Sequence, residues 1–314
     1  MKANLIRKYG GPEVLEFADV DSPKPAPGEV LVRVAAAGVN PLDWKLRSGA
    51  MKMIMPLKFP AILGCDFAGT VDAVGERCTK LKVGDEVYGM MSTNVGTYAQ
   101  FLVASESIVA RKAKNLSFEQ AASVPVAAIT ALQALRDSAH VKAGDRVLIN
   151  GASGGVGLFG VQLAKIFGAE VTAVCSAGNA DLVKALGADH VIDYKTTDFT
   201  KGDVQYHTIA DFVGNGKFTT AKRVLLAGGT FVSSLPNGGL LFLSAWTSVF
   251  GSRKAKAVFA KPSVPNFEYL NELFEAGKLK AIIDRTFGFE QAREALDYSE
   301  TGRAKGKIVI KIAG

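Results

Sequence analysis

Residues 146–157 read RVLINGASGGVG, a short stretch rich in strand formers that runs straight into a loop with glycine at four of seven positions. Glycine loses more backbone freedom on folding than any other residue, so such a cluster persists only where something must approach the backbone closely. A helical pattern follows, VGLFGVQLAKIFG (156–168), and then a returning strand, EVTAVC (170–175). Strand, glycine-rich turn, helix and second strand form the context of a dinucleotide fingerprint. There, missing side chains admit a pyrophosphate to the N-terminal amides of the helix. Gly154 and Gly157 take two of the fingerprint's places, and Ala152 stands where its first glycine usually does. The alternative for the same residues is a tight βα turn with close helix packing.

A chain of 314 residues is about twice a typical domain of ~150, so two domains are expected. The first third is strand-rich: 3–9, 14–20, 29–39, 65–75, 82–90 and 96–104 carry β-branched or alternating residues and end at Gly, Pro or Asp. Many short strands with turn signals predict a β-rich, barrel-like domain. Residues 117–139 are alanine-rich and helical in spacing, broken by Pro125. From Asp145 onward strands and helices alternate, with strands at 146–150, 170–175, 190–194, 208–214, 229–236 and 255–260 and helices at 156–168, 180–187 and 217–227. That alternation predicts a parallel sheet with helices on both faces. The tail returns to mixed character and ends in a strand whose Ile308, Ile310 and Ile312 alternate. From the residues alone this strand could complete either domain.

The net charge is +7, from 37 basic and 30 acidic residues, but the basic residues are scattered and their densest group, 252–261, is short. A nucleic-acid surface needs a stripe on one face; the phosphates of a small cofactor suit this distribution better. Cys65, Cys78 and Cys175, like His140, His190 and His207, lack the short paired spacing of a structural zinc site. The cysteines read as reduced, small buried hydrophobes. The N-terminus lacks the apolar core of a signal peptide, and the apolar stretch 240–251 is too short to span a membrane. A cytoplasmic protein with no membrane partner is expected.

Cofactor choice turns on the end of the second strand. An NAD site places Asp or Glu there for the ribose hydroxyls, whereas this chain has Cys175 and Ser176. NADPH is therefore expected over NADH. Tyr194 and Lys195, after the third strand, either meet the extra phosphate or are a strand-end tyrosine and a solvated lysine.

Five segments together, 37–49 (AGVNPLDWKLRSG), 63–75 (LGCDFAGTVDAVG), 81–89 (LKVGDEVYG), 150–157 (NGASGGVG) and 301–312 (TGRAKGKIVIKI), resemble the zinc-independent quinone oxidoreductases of the medium-chain dehydrogenase/reductase superfamily. The resemblance spans essentially the whole chain. It implies an α/β protein: a GroES-like β-rich catalytic domain from 1–122 and 266–314, a Rossmann doubly wound parallel-sheet NADP-binding domain from 123–265, and an active site in the cleft between them. It also implies a homodimer.

Carried over by position, Asn40 faces the substrate carbonyl and the nicotinamide, Asp43 and Trp44 shape the pocket floor, and Thr130 lies beside the nicotinamide. Ser153, Gly155 and Val156 contact the pyrophosphate, with Gly154 and Gly157 as the other cofactor-binding residues of the loop. Ser176, Tyr194 and Lys195 surround the adenosine phosphate. Val213, Gly214, Ser233, Ser234 and Leu235 flank the ribose and nicotinamide, and Lys307 reaches the cofactor from the tail. The family often has Lys or Arg shortly after the second strand, where this chain has Gly178 and Asn179. Read without the family, Asn40 followed by Pro41 is a helix N-cap, a role compatible with the other.

The implied reaction moves a hydride from NADPH to a quinone or to the β-carbon of an α,β-unsaturated carbonyl. Zinc-dependent relatives carry Cys at the place of Asn40 and a His-Glu pair near 65–69, and neither is present. Two further readings compete: an NADPH-binding protein of little turnover acting as a nucleic-acid-binding or structural protein, and a zinc alcohol dehydrogenase.

Overall fold

The computed structural model describes residues 1–91, 95–235 and 238–313, and the chain divides into two compact units, Met1–Val126 with Lys261–Gly314, and Ala127–Ala260. The N-terminal part supplies β1 (Lys2–Ile6), β2 (Glu16–Asp19), β3 (Glu29–Val39), β4 (Ala61–Ile62), β5 (Asp66–Val74), β6 (Glu86–Met90), β7 (Phe101–Ser105) and β8 (Val109–Arg111). Helices α1 (Pro41–Arg47) and α2 (Phe118–Ala122) belong to the same unit, and α3 (Pro125–Leu132) follows across the boundary. The second unit carries β9 (Arg146–Asn150), β10 (Glu170–Cys175), β11 (His190–Asp193), β12 (Tyr206–Asp211), β13 (Leu225–Ser233) and β14 (Lys254–Ala257). Its helices include α4 (Gly155–Ile166), α5 (Ala180–Ala185), α6 (Phe218–Ala221) and α7 (Gly238–Phe250). The chain returns to the first unit with α8 (Val264–Glu275), β15 (Ile283–Gly288), α9 (Ala292–Glu300) and β16 (Lys307–Lys311).

In the first unit the long strand β3 is the axis. It pairs antiparallel with β5, β7 and β16, in a sheet ordered β15-β16-β3-β5-β6-β8, and a smaller sheet runs β2-β1-β4. Val30, Val32 and Val34 alternate along β3 into a core shared with Phe67, Val71, Val87 and Leu102, the period-two burial expected of a half-covered strand. The terminal strand β16 lies between β15 and β3, and both of its faces are buried. Ile308 and Ile310 join Leu46 of α1 and Leu296 of α9 in a second core. Arg47 ties α1 to α9 through Asp297 at 3.4 Å and Glu300 at 2.9 Å.

The second unit is a parallel sheet ordered β11-β10-β9-β12-β13-β14. Numbered from β9, this order is 3-2-1-4-5-6, the doubly wound arrangement that binds ligands beyond the carboxyl ends of the strands at its reversal point. That point falls between β9 and β12. Val147, Leu148 and Ile149 of β9 are wholly buried, as a central strand covered on both faces requires.

One segment differs from the sequence reading. Residues 217–227 were expected as one helix, but α6 ends at Ala221, a 3-10 turn covers Lys222–Val224, and β13 begins at Leu225. Leu225 is buried opposite Tyr206, and Gly228 at φ +81° is incompatible with a continuing helix. The apolar stretch 240–251 lies almost wholly in α7, and no helix among the described residues is long and apolar enough to cross a membrane.

The β9–α4 junction depends on one absent methyl. A Cβ on Gly157 would meet the Gly151 carbonyl oxygen at 2.0 Å and Ala152 Cα at 2.7 Å, whereas one on Gly154 would meet only the Gly151 oxygen, at 3.4 Å. Gly157→Ala is therefore expected to destabilise the fold by about 1–3 kcal/mol despite alanine's better helix propensity, and Gly154→Ala by much less. Urea unfolding of both variants checks the contrast, and equal midpoints would refute it.

Candidate functional site

The glycine loop starts with a turn that the fingerprint spacing did not single out. Gly151, just past β9, adopts φ +78°, and a Cβ there would strike Val213 Cγ2 at 2.4 Å. It thus supplies the left-handed turn that the fingerprint assigns to its first glycine, one residue before the expected Ala152. Gly151 and Ala152 donate to the Val174 carbonyl at 3.1 and 3.0 Å, so the turn is stitched to β10. Gly154 is the N-cap of α4, in extended conformation, and no side chain among the described residues caps the helix. The first amides of a helix have no partner within it, and the dipole of three turns favours an anion there. The space before this end is open: a Cβ on Gly154 meets nothing nearer than 3.4 Å, and one on Gly178 meets nothing within 4 Å. Bare amides, a helix N-terminus and room for oxygens fit a diphosphate.

The rim of this opening comes from β10 and β11. Ser153 Oγ accepts from Asn179 Nδ2 at 3.0 Å, joining the glycine loop to the turn after β10. Ser176 is the N-cap of that turn. Tyr194, 60% exposed, and Lys195, also exposed, follow β11, with the Tyr194 N–H on the Cys175 carbonyl. Asp193 pairs in register with Cys175 and accepts the Lys195 N–H at 3.0 Å. A carboxylate thus stands on the strand beside the position where the sequence showed none.

At the end of β12 the buried Asp211 organises the reversal point. Its Oδ1 accepts from Asn150 Nδ2 at 2.9 Å and from the N–H groups of Val213 and Gly214 at 3.1 Å each, and its Oδ2 accepts from the Gly216 N–H at 3.0 Å. Gly214, at φ +81°, packs so that a Cβ would meet Leu235 Cβ at 2.8 Å. Ser234 donates to the Asp211 carbonyl at 3.3 Å, and Ser233 Oγ accepts from the Leu235 N–H at 3.3 Å. The cofactor residues expected from 153–157, 176, 194–195, 213–214 and 233–235 therefore share one edge of one sheet. Asp211 lies inside the strand expected at 208–214, yet as a residue that shapes a loop without reaching a ligand it gave no signal of its own. Thr130 belongs to the same unit, nearly buried in α3.

The other expected residues gather in the first unit, where β3 turns into α1. Asn40 is the N-cap and Pro41 opens the helix, and Asp43 three residues on accepts the Asn40 N–H at 2.7 Å. Tyr98 donates its hydroxyl to the same Asp43 oxygen at 2.8 Å. The Asn40 side chain donates from Nδ2 to Asp66 at 2.9 Å and accepts Lys307 Nζ on Oδ1 at 2.5 Å. Lys307, expected at the cofactor, is buried here and also reaches the Val39 carbonyl at 3.1 Å and Asp66 at 3.5 Å. Its three N–H groups face three acceptors of its own unit. Trp44 packs on the α1 core, and its buried Nε1 has no partner among the described residues. Asp66 was not singled out from sequence.

Burial dominates the electrostatics. It pushes the Asp43 carboxyl up to about 6, against the Asn40 and Tyr98 hydrogen bonds that favour its charge. Burial also raises Asp66, opposed chiefly by the Lys307 ammonium, and raises the Cys65 thiol, helped by the charges of Asp43 and Asp66. Among the described residues, no three His, Cys, Asp or Glu side chains are grouped to hold a metal.

Comparison with known proteins places these features. Residues 26–114 match the model for the alcohol dehydrogenase GroES-like domain, and residues 186–310 match that for zinc-binding dehydrogenases. The chain is 36% identical over 313 residues to the chloroplastic quinone-oxidoreductase homolog of Spinacia oleracea, covering 96% of this chain and 95% of that protein. It is 36% identical over 323 residues to the 2-methylene-furan-3-one reductase of Solanum lycopersicum, covering 99% and 79%. The solved structure of the quinone oxidoreductase from Coxiella burnetii superposes with a TM-score of 0.91 at 34% identity, covering 99% of each chain.

The raised Asp43 pKa has a defined consequence for stability. A carboxyl that titrates near 6 in the fold and 3.8 when exposed binds its proton more tightly folded. Its favourable contribution is complete below about pH 4 and is lost as pH rises through 6. Relative to wild type, Asp43→Asn is expected to gain stability steadily from pH 4 to pH 7 in chemical denaturation. A difference independent of pH would refute the assignment.

Proposed function

This chain belongs to the quinone oxidoreductase family of the medium-chain dehydrogenase/reductase superfamily, and from that premise we propose that it is an NADPH-dependent reductase of quinones or α,β-unsaturated carbonyls that works without zinc. The observation that carries the reading is the uncapped N-terminus of α4, open at Gly154 and closed behind by Gly157. The bound cofactor supplies a hydride from its reduced nicotinamide. The amides of Gly155, Val156 and Gly157, with Ser153, hold the pyrophosphate, and Gly154, whose own N–H donates to the Gly151 carbonyl at 3.1 Å, leaves room for it. Val213, Gly214, Ser233, Ser234 and Leu235, kept in place by Asp211, flank the ribose and ring.

The absence of a carboxylate at 175–179, with Ser176, Asn179, Tyr194 and Lys195 on the rim, supports a 2′-phosphate and so NADPH. Asp193 is the feature that limits the preference. Asn40 donates to the acceptor carbonyl, where negative charge develops as the hydride arrives; Thr130 stands beside the ring, and Asp43 and Trp44 form the floor. A zinc-free site is supported by Lys307, whose ammonium already neutralises Asp66 and occupies the Asn40 oxygen. Both relatives named above take their names from redox activities, which favours turnover over a binding-only role.

A homodimer fits the second unit. Strand β14 pairs only with β13 among the described residues, and beside it α7 exposes Phe242, Trp246 and Phe250, with Trp246 stacked on Phe242 at 6.4 Å and tilted against Phe250 at 5.0 Å. An open edge next to an apolar face invites a partner. Light scattering at micromolar concentration should give twice the 33.1 kDa chain mass; a monomer would refute it.

The catalytic reading is tested by following NADPH and NADH oxidation with a panel of quinones and enones in the presence of a chelator. Turnover with NADPH preferred is expected, and Lys195→Ala should raise KM for NADPH by roughly tenfold while leaving that for NADH unchanged. No turnover with either acceptor class, or activity that requires added zinc, would overturn the proposal.

A further inference from the structure

Asn40 is gripped from both sides. In the sheet β3 lies between β16 and β5, with Val39 opposite Ile308 and Gly38 opposite Asp66. A lysine at the start of β16 and an aspartate at the start of β5 therefore straddle Asn40, the residue that follows β3. The Asp66 carboxylate can lie there because Gly38 has no side chain: a Cβ would meet Asp66 Cβ at 2.9 Å and the Ala122 carbonyl oxygen at 2.3 Å. The other Asp66 oxygen is held by the Val126 N–H at 2.9 Å, so the carboxylate does not rotate freely.

A side-chain amide has one carbonyl oxygen and two N–H groups. Lys307 occupies the oxygen and Asp66 one N–H. Turning the amide over would set NH₂ against an ammonium and a carbonyl against a carboxylate, so the two charges hold a single orientation. All three side chains are buried, where water screens these interactions little. One N–H remains without a partner among the described residues, strengthened as a donor because the ammonium draws charge toward the amide oxygen.

From this arrangement we infer that Asp66 and Lys307 are positioning residues that lock the Asn40 amide in one orientation and so aim its remaining N–H at the acceptor's carbonyl oxygen. The inference rests on the proposed reductase reading, in which Asn40 meets that oxygen. Neither charged group touches the substrate; each acts through Asn40. Lys307 is thereby assigned to the acceptor side of the chemistry and not to cofactor binding.

The test uses the full-length chain with Asp66→Asn, Lys307→Met, the charge-neutral double variant, and each combined with Asn40→Ala. Asp66→Asn should lower kcat by roughly 10- to 100-fold with the NADPH Kd unchanged within about twofold. In the Asn40→Ala background the same change should lower kcat less than about twofold, since groups acting through one residue are non-additive. An additive loss overturns the inference, as does a Lys307→Met variant that weakens NADPH binding about tenfold with kcat intact. Should Lys307→Met fail to fold with Asp66 left unpaired, Asp66→Asn and the double variant still decide.

A readout independent of turnover is the Asn40 side-chain amide pair in nitrogen-15 NMR, identified by its loss in Asn40→Ala. One proton should lie downfield in wild type and move upfield in Asp66→Asn. Absence of that shift overturns the lock. Wild type without turnover on any acceptor removes the reductase reading and this role together, whereas turnover with kcat unchanged in Asp66→Asn overturns the role alone.

Discussion

The approach of Gly157 to the Gly151 carbonyl governs the second unit. Because no methyl intervenes, α4 starts directly over the end of β9 and points its free amides past the edge of the sheet. A helix displaced outward by one side chain would lose both its packing on β9 and its aim. The left-handed turn at Gly151 completes the arrangement, and it is crowded by Val213, from the loop that Asp211 holds. Turn, helix and loop are thus one mechanical object, built from a single carboxylate and two positions that accept no Cβ.

The first unit is organised by a different economy. Three acidic or basic side chains, Asp43, Asp66 and Lys307, are buried at the β3–α1 junction, and each is hydrogen-bonded to Asn40. Burying a charge is costly unless it is paired and hydrogen-bonded, and each has such partners: Asp43 has the Asn40 N–H and the Tyr98 hydroxyl, Asp66 has Asn40, Val126 and Lys307. A core of leucine and valine would serve stability as well. What the polar cluster provides is a fixed orientation for one amide and a carboxyl that burial raises to about 6.

Much of this was legible in the chain itself. The alternation of strands and helices after Asp145 marked the parallel sheet, since buried parallel strands must be continuously apolar. The fingerprint at 151–157 marked the glycine turn at the carboxyl end of β9, since close backbone approach demands glycine. Asn40 with Pro41 marked the start of α1. What the sequence did not show has a common cause: it concerns pairs brought together across long separations. Asp66 lies 26 residues from Asn40, and Lys307 lies 267, so no local spacing reveals that they share one amide. Asp193 looked remote from the second strand until the register set it beside Cys175. The helix drawn through 217–227 failed because pairing of Leu225 with Tyr206 outweighed a weak local helical preference.

The sequence by itself determined the elements and the chemistry they could carry: a glycine-lined helix N-terminus able to take a diphosphate, a β-rich region, and an amide at a helix start. These follow from backbone sterics and side-chain periodicity, which act within a few residues. Tertiary structure decided which groups became partners. It turned Lys307 inward onto Asn40, set Asp211 to hold a loop, and raised Asp43 by excluding water from it. Burial and hydrogen-bond pairing depend on what the fold packs around a group, and that is settled only when distant strands meet.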